Sequence, residues 1–161
     1  MTEHTNEPLG EQFNATATTD DPRTEARLCA IQAVYQCRLI GEDVRHVQET
    51  FLKGPVASRK ANKALFAALL TATMLEQPRF AQLIANHLKD GWTVERLDTT
   101  MQALLLTAVA ELSTQAEAEP KVVLGEYVAL ARAFFDDKQA GFVNGILDKI
   151  ARVVRPEVFV S

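Results

Sequence analysis

The residues with the clearest chemical potential are cations near both ends of the chain. Arg23 and Arg27 are four positions apart, which places them one turn apart on a helix. Lys149, Arg152 and Arg155 form a second group close to the C-terminus. Because such side chains bind phosphates, the two groups would form one basic patch for a nucleic acid if their helices lie close together. From charge alone, a solvated surface without a ligand is the favoured interpretation.

Residues that could support catalysis occur singly. Glu111 follows an apolar run without a partner base, and His87 lies on an apolar helix face, where a core or rim histidine is the simpler interpretation. The sequence contains no glycine-rich phosphate loop, no G-x-S-x-G motif and no paired-histidine metal motif. Cys29 and Cys37 would lie about 12 Å apart along one helix, too far for a disulfide. The sequence therefore predicts buried thiols, no enzyme activity, no cofactor and no metal.

Charge and composition divide the chain into three parts. Residues 1–21 carry five acidic residues and no Lys or Arg, so the net charge of −4 is set there and the other 140 residues hold 17 basic and 16 acidic groups. We expect a disordered acidic extension over 1–21, a helical domain over 22–156 and a C-terminal tail over 157–161. No secretory signal and no apolar run of about 18 residues is present, which predicts a cytoplasmic protein without a membrane partner.

The elements that must position these residues are all predicted to be helices. The six prolines fall between segments of helical periodicity, and no segment alternates with the period of a strand. We therefore predict an all-α fold of about seven helices. They are expected at about 23–40, 44–52, 58–75, 78–91 and 97–112, with a sixth through Val123 and Phe134 and a seventh through the segment GFVNGILDK.

The segment GFVNGILDK combines an apolar helical face with poor helix formers. Gly145 lacks a Cβ, and its helix-propensity loss of about 1 kcal/mol would be offset if another helix, helix one above all, packed closely against it. Asn144 is predicted to form a hydrogen bond across that junction or, alternatively, to face a nucleic acid. The apolar face is predicted to comprise Phe142, Val143, Ile146, Leu147 and Ile150.

Four segments together resemble a known family. They are ARLCAIQAVYQ (26–36), HLKDGW (87–92), EYVALARAFFD (126–136) and GFVNGILDKIA (141–151), and their order and spacing are similar to the NusB family of bacterial transcription factors. The resemblance implies seven helices in two packed helical subdomains. It also implies pairing with a small-subunit ribosomal protein (NusE) and binding to boxA-like single-stranded leader RNA. With other Nus factors and RNA polymerase, the pair would suppress premature termination in rRNA operons.

The resemblance also assigns roles to individual residues. The family usually has basic residues at the start of helix one, where this chain has Thr24 and Glu25, and it commonly has an arginine where this chain has Leu106. These departures leave open a protein-only adaptor or homodimer with weakened RNA binding. Asn144 and Gly145 form the helix-junction signature. The RNA-binding residues that the resemblance implies are Arg23, Arg27, Tyr35, His87, Lys138, Phe142 and Lys149.

Overall fold

The computed structural model describes residues 18–159, and this part of the chain contains helices and no strand. The all-α prediction is therefore confirmed. Most of the predicted acidic extension (1–17) and the last two residues of the predicted tail (160–161) lie outside the described residues.

Seven helices of nine or more residues account for most of residues 18–159, as predicted. A four-residue helix, Pro55–Ser58, lies between the second and third of them, so the predicted helix over 58–75 begins later than expected. Short 3-10 turns cover Val94–Arg96 and Pro156–Phe159. The seven helices are α1 Pro22–Tyr35, α2 Val44–Lys53, α3 Lys63–Leu75, α4 Gln77–Ala85, α5 Thr99–Thr114, α6 Pro120–Phe134 and α7 Asp137–Val154.

The described chain divides into two units, the first ending at Met74 and the second beginning at Leu75. In the first unit, α1 starts where the Asp21 carboxylate accepts a hydrogen bond from the Arg23 backbone N–H (2.9 Å). The helix widens into a π-helical turn over Gln36–Ile40 and ends at Gly41, whose φ of +86° suits glycine. The rings of Phe51 and Phe66 stack with centroids 5.8 Å apart and join α2 to α3.

In the second unit, α5 is the central helix, and its residues from Thr100 to Leu112 are buried. Helices α6 and α7 pack against α5 and against each other. The Tyr127 hydroxyl of α6 donates a hydrogen bond to the Glu111 carboxylate of α5 (2.9 Å), with both residues fully buried. The Arg155 guanidinium donates to the carbonyl of Ala116 (2.9 Å), which fastens the loop between α5 and α6 to the end of α7.

No helix of the second unit makes the predicted close approach to Gly145. Gly145 is exposed, and a Cβ built on it would meet no atom within 4 Å among the residues that the structure describes, its own helix backbone aside. Asn144 is also exposed and forms no hydrogen bond across a junction within residues 18–159. The apolar face is narrower than predicted, because Val143, Ile146, Leu147 and Ile150 are buried while Phe142 is 36% exposed.

Replacing Gly145 with alanine is expected to raise the free energy of unfolding by about 0.5–1 kcal/mol. Alanine has the higher helix propensity, and the added methyl group enters open space. Urea denaturation monitored by circular dichroism measures the change. Gly41→Ala is the matched control and should lower the same free energy by roughly 1 kcal/mol, because alanine disfavours a positive φ. A loss of stability in Gly145→Ala would show that the residue packs against another group.

Candidate nucleic-acid interface

A groove of about 560 Å³ opens on the second unit between the chain following α4 and the start of α7. Three aromatic rings and several cations contribute to its walls. We call it the aromatic groove. Its lining residues are Leu88, Lys89, Trp92, Arg96, Leu97, Asp98, Met101, Phe135, Lys138, Gln139 and Phe142.

One wall is built by the turn between α4 and α5. Gly91 has a φ of +84°, which turns the chain so that the following Trp92 is 39% exposed. Val94 is buried and anchors the 3-10 turn Val94–Arg96. The guanidinium of Arg96 lies over the Trp92 ring, 4.6 Å from its centroid, so a cation–π contact holds both side chains in the groove.

The opposite wall is the first turn of α7. Asp136 caps this helix by accepting a hydrogen bond from the Gln139 backbone N–H (2.9 Å). The exposed side chains of Lys138 and Phe142 are one turn apart and line the groove. Lys149 follows on the same exposed face, eleven residues and about 16 Å beyond Lys138. A line of cation, ring and cation therefore runs from the groove along α7.

The charge of the aromatic groove is positive. Lys89, Arg96 and Lys138 line it together with one acidic residue, Asp98. The Asp98 carboxylate accepts hydrogen bonds from two backbone N–H groups at the start of α5 (2.9 and 3.2 Å), which commits it to capping that helix. Exposed rings beside cations suit a single-stranded nucleic acid, because bases stack on the rings and the cations bind phosphates.

Of the three residues of α1 that were predicted to bind RNA, one is exposed and two are buried. Arg23 is exposed at the start of the helix, whereas Arg27 and Tyr35 are 3% and 2% exposed. Buried side chains present neither a guanidinium to phosphate nor a ring face to a base, so the structure does not support direct RNA contacts by Arg27 and Tyr35. His87 is half-buried, directly before the groove residue Leu88.

The C-terminal cations are partly committed to contacts within the second unit. Arg152 pairs with Asp148 (3.0 Å) and lies over the ring of Phe159, 4.6 Å from its centroid. Arg155 binds backbone carbonyls, as described above. Lys149 is the exposed cation of the predicted C-terminal group that continues the line from the groove. The single patch predicted to join these cations to Arg23 would involve both units and stays a prediction.

Sequence reasoning missed Trp92, Arg96, Lys89 and Phe135 as members of the groove. Trp92 is the single tryptophan and stands in the polar segment KDGWTVER. This position could have indicated an exposed ring, because a tryptophan in a polar segment between helices has no periodic apolar neighbours to bury it.

Cys29 and Cys37 are free and buried, as predicted, and burial raises the pKa of their thiols to about 12 and about 11. No group of three or more His, Cys, Asp or Glu side chains among residues 18–159 could hold a metal ion. None of the helices described has the length and apolar character needed to cross a membrane.

The fold and the groove together define an all-helical protein whose second unit carries a basic, aromatic surface. Residues 24–152 match the model of the NusB family. Transcription antitermination protein NusB of Caulobacter vibrioides is 37% identical over 142 residues, covering 83% of this chain and 95% of that protein. The Rhizobium johnstonii protein of the same name is 35% identical over 146 residues, covering 86% and 91%.

Solved structures have a similar fold. T. maritima NusB superposes with a TM-score of 0.74 at 23% identity, covering 88% of this chain and 99% of the other. A chain from the crystal structure of antitermination factors NusB and NusE in complex with dsRNA superposes with a TM-score of 0.68 at 25% identity, covering 81% and 96%. The chain belongs to the NusB family of transcription antitermination proteins, which confirms the resemblance found in its sequence.

Proposed function

We propose that this protein is a cytoplasmic RNA-binding antitermination factor that works as an adaptor, without catalysis and without a cofactor. With the small-subunit ribosomal protein NusE, it binds boxA-like leader RNA. Together with other Nus factors and RNA polymerase, the pair suppresses premature termination in rRNA operons. The aromatic groove is the observation that carries this proposal, because its exposed rings and cations suit unpaired nucleotides.

Residues of the second unit bind RNA in two ways, by stacking with bases and by contacting phosphates. Trp92 and Phe142 stack with bases, each base contributing about 1–3 kcal/mol. Arg96 holds the Trp92 ring by its cation–π contact and adds positive charge. Lys138 and Lys149 bind phosphates on either side of Phe142, so the strand follows α7.

A second candidate is a protein-only adaptor, or a homodimer, with weakened RNA binding. The burial of Arg27 and Tyr35 favours it, because two residues expected on the RNA are in the interior instead. The two candidates differ in whether RNA affinity is present when the ribosomal protein is bound.

A titration of labelled boxA-like RNA, with and without the ribosomal protein, tests the proposal. With three to four phosphates bound, log K is expected to fall by roughly 2–3 units per tenfold rise in salt, at about 0.7 per phosphate. Affinity should rise when the ribosomal protein is added. An RNA of scrambled sequence is the matched control. Undetectable or salt-independent binding in the presence of the ribosomal protein would favour the protein-only adaptor.

A further inference from the structure

A second cluster of exposed cations lies in the first unit. It consists of Arg23 at the start of α1 and of Lys60 and Lys63, where the chain turns into α3, and we call it the loop cluster. The Asn62 backbone N–H donates a hydrogen bond to the carbonyl of Pro22 (2.9 Å). This bond holds the turn beside the first residues of α1, so cations about forty positions apart in sequence become neighbours.

The turn that carries Lys60 is fastened on both sides. Before it, the Arg59 Nε donates to Glu25 Oε1 of α1 (2.6 Å), with both residues buried. After it, the Asn62 side chain accepts a hydrogen bond from the Leu65 backbone N–H (2.9 Å) and caps α3. Because the turn is already ordered, a ligand that binds there meets little further cost of ordering the backbone.

Lys60 has an unusual backbone conformation. Its φ is +56°, a positive value that no other non-glycine residue among 18–159 adopts. Glycine or asparagine occupies this left-handed region at lower cost than lysine. Strained residues that persist are concentrated at functional sites. A lysine in this conformation, with its side chain exposed, therefore marks the turn as a candidate functional site.

The charges around the loop cluster indicate the class of ligand. Asp20 and Asp21 are the exposed acidic residues nearest in sequence, and the Asp21 carboxylate is engaged in capping α1. The buried Glu25 is balanced by Arg59. The exposed large apolar side chains of the described residues all lie outside 18–25 and 59–63. Without an apolar contact surface, the cluster suits phosphate groups better than a protein surface.

We infer that Lys60 and Lys63, together with Arg23, bind phosphate groups of the RNA strand. This inference rests on the proposed RNA-binding function and extends it from the aromatic groove to the first unit.

The double variant Lys60→Gln with Lys63→Gln tests the inference. The slope of log K against log salt should become less steep by about 1.4 units, because two phosphate contacts are lost at about 0.7 each. Affinity for boxA-like RNA should fall on the order of tenfold at 0.1 M salt. Lys53→Gln with Lys121→Gln removes the same charge from exposed positions elsewhere and should leave the slope unchanged.

The single variant Lys60→Gly separates RNA binding from a structural role. Glycine relieves the positive φ, so the melting temperature should rise by about 2–4 °C while RNA affinity falls. A higher melting temperature with full affinity would overturn the role of Lys60.

The outcomes distinguish the inference from the proposed function. If the unaltered protein does not bind RNA, the proposed function fails. If it binds RNA and the double variant keeps the same slope, the inference alone fails. A double variant that loses affinity for the ribosomal protein but not for RNA would also overturn the inference, because the cluster would then contact protein.

Discussion

Replacing Arg59 with alanine is expected to lower the free energy of unfolding by about 3–5 kcal/mol. The Glu25 carboxylate is 1% exposed and accepts a hydrogen bond from Arg59 Nε at 2.6 Å. Removing the guanidinium leaves this charge buried without its cation, and that desolvation is the source of the loss. Thr19 continues to donate to the other carboxylate oxygen (2.6 Å from its backbone nitrogen), but a neutral donor does not replace the positive charge.

Arg79→Ala is the matched control for this experiment. Arg79 pairs with Glu76 at the same distance of 2.6 Å, but the two side chains are 55% and 36% exposed. Water screens and solvates this pair, so its loss should change stability by less than about 1 kcal/mol. Urea denaturation of both variants measures the difference. Equal effects in the two variants would show that burial does not govern the strength of the Glu25–Arg59 pair.

A double replacement isolates the cause of the loss. Glu25→Leu combined with Arg59→Met removes both charges and keeps apolar volume in the interior. Such replacements of buried ion pairs are often neutral or stabilising, so the double variant should be more stable than Arg59→Ala alone. It should nevertheless release the turn that presents Lys60. In this variant, stability is therefore expected to exceed that of Arg59→Ala, whereas affinity for RNA is expected to fall.

The helices could be predicted from the sequence because their signals are local. Prolines mark the boundaries between periodic segments, and the buried residues Val143, Ile146, Leu147 and Ile150 recur at the spacing of one helix face. The start of α3 was placed too early. The apolar composition of 58–75 gave no sign that Lys60 adopts a positive φ and separates Pro55–Ser58 from the next helix.

Burial of individual side chains was harder to predict, because it depends on which element covers each face. A glycine in a helix is compatible with a tight junction or with open space, and Gly145 faces open space. Arginine is a residue type that binds phosphate, yet Arg27 is buried because α1 is covered on nearly all sides. The sequence of a single helix indicates which face is apolar, but not which element covers each face or how closely it packs.

Only part of the candidate site was predicted, because its residues are brought together by contacts between elements. Resemblance to the family indicated Lys138 and Phe142, and both line the aromatic groove. Trp92 and Arg96 come together through a turn at Gly91 and a 3-10 turn, neither of which has an apolar periodicity. The loop cluster depends on contacts between α1 and the turn before α3, namely the backbone hydrogen bond between residues 22 and 62 and the Glu25–Arg59 pair, and no sequence pattern indicates such contacts.

The aromatic rings should dominate RNA affinity in the second unit. Trp92→Ala and Phe142→Ala are each expected to weaken binding of boxA-like RNA by about 1–3 kcal/mol, or roughly 5–150-fold. Neither change removes a cation, so the salt dependence of binding should stay the same. Fluorescence anisotropy at several salt concentrations measures both quantities for each variant.

Two controls determine whether stacking is the cause. Val153→Ala truncates another exposed apolar side chain of α7 (56% exposed), away from the groove, and should leave affinity unchanged. Trp92→Phe keeps a ring and should retain part of the affinity that alanine loses. Because Phe142 is 36% exposed, its truncation should cost less stability than Phe80→Ala in the core, for which about 3–5 kcal/mol is expected. Loss of RNA affinity together with a flattened salt dependence in Phe142→Ala would instead mean that the ring positions Lys138 rather than a base.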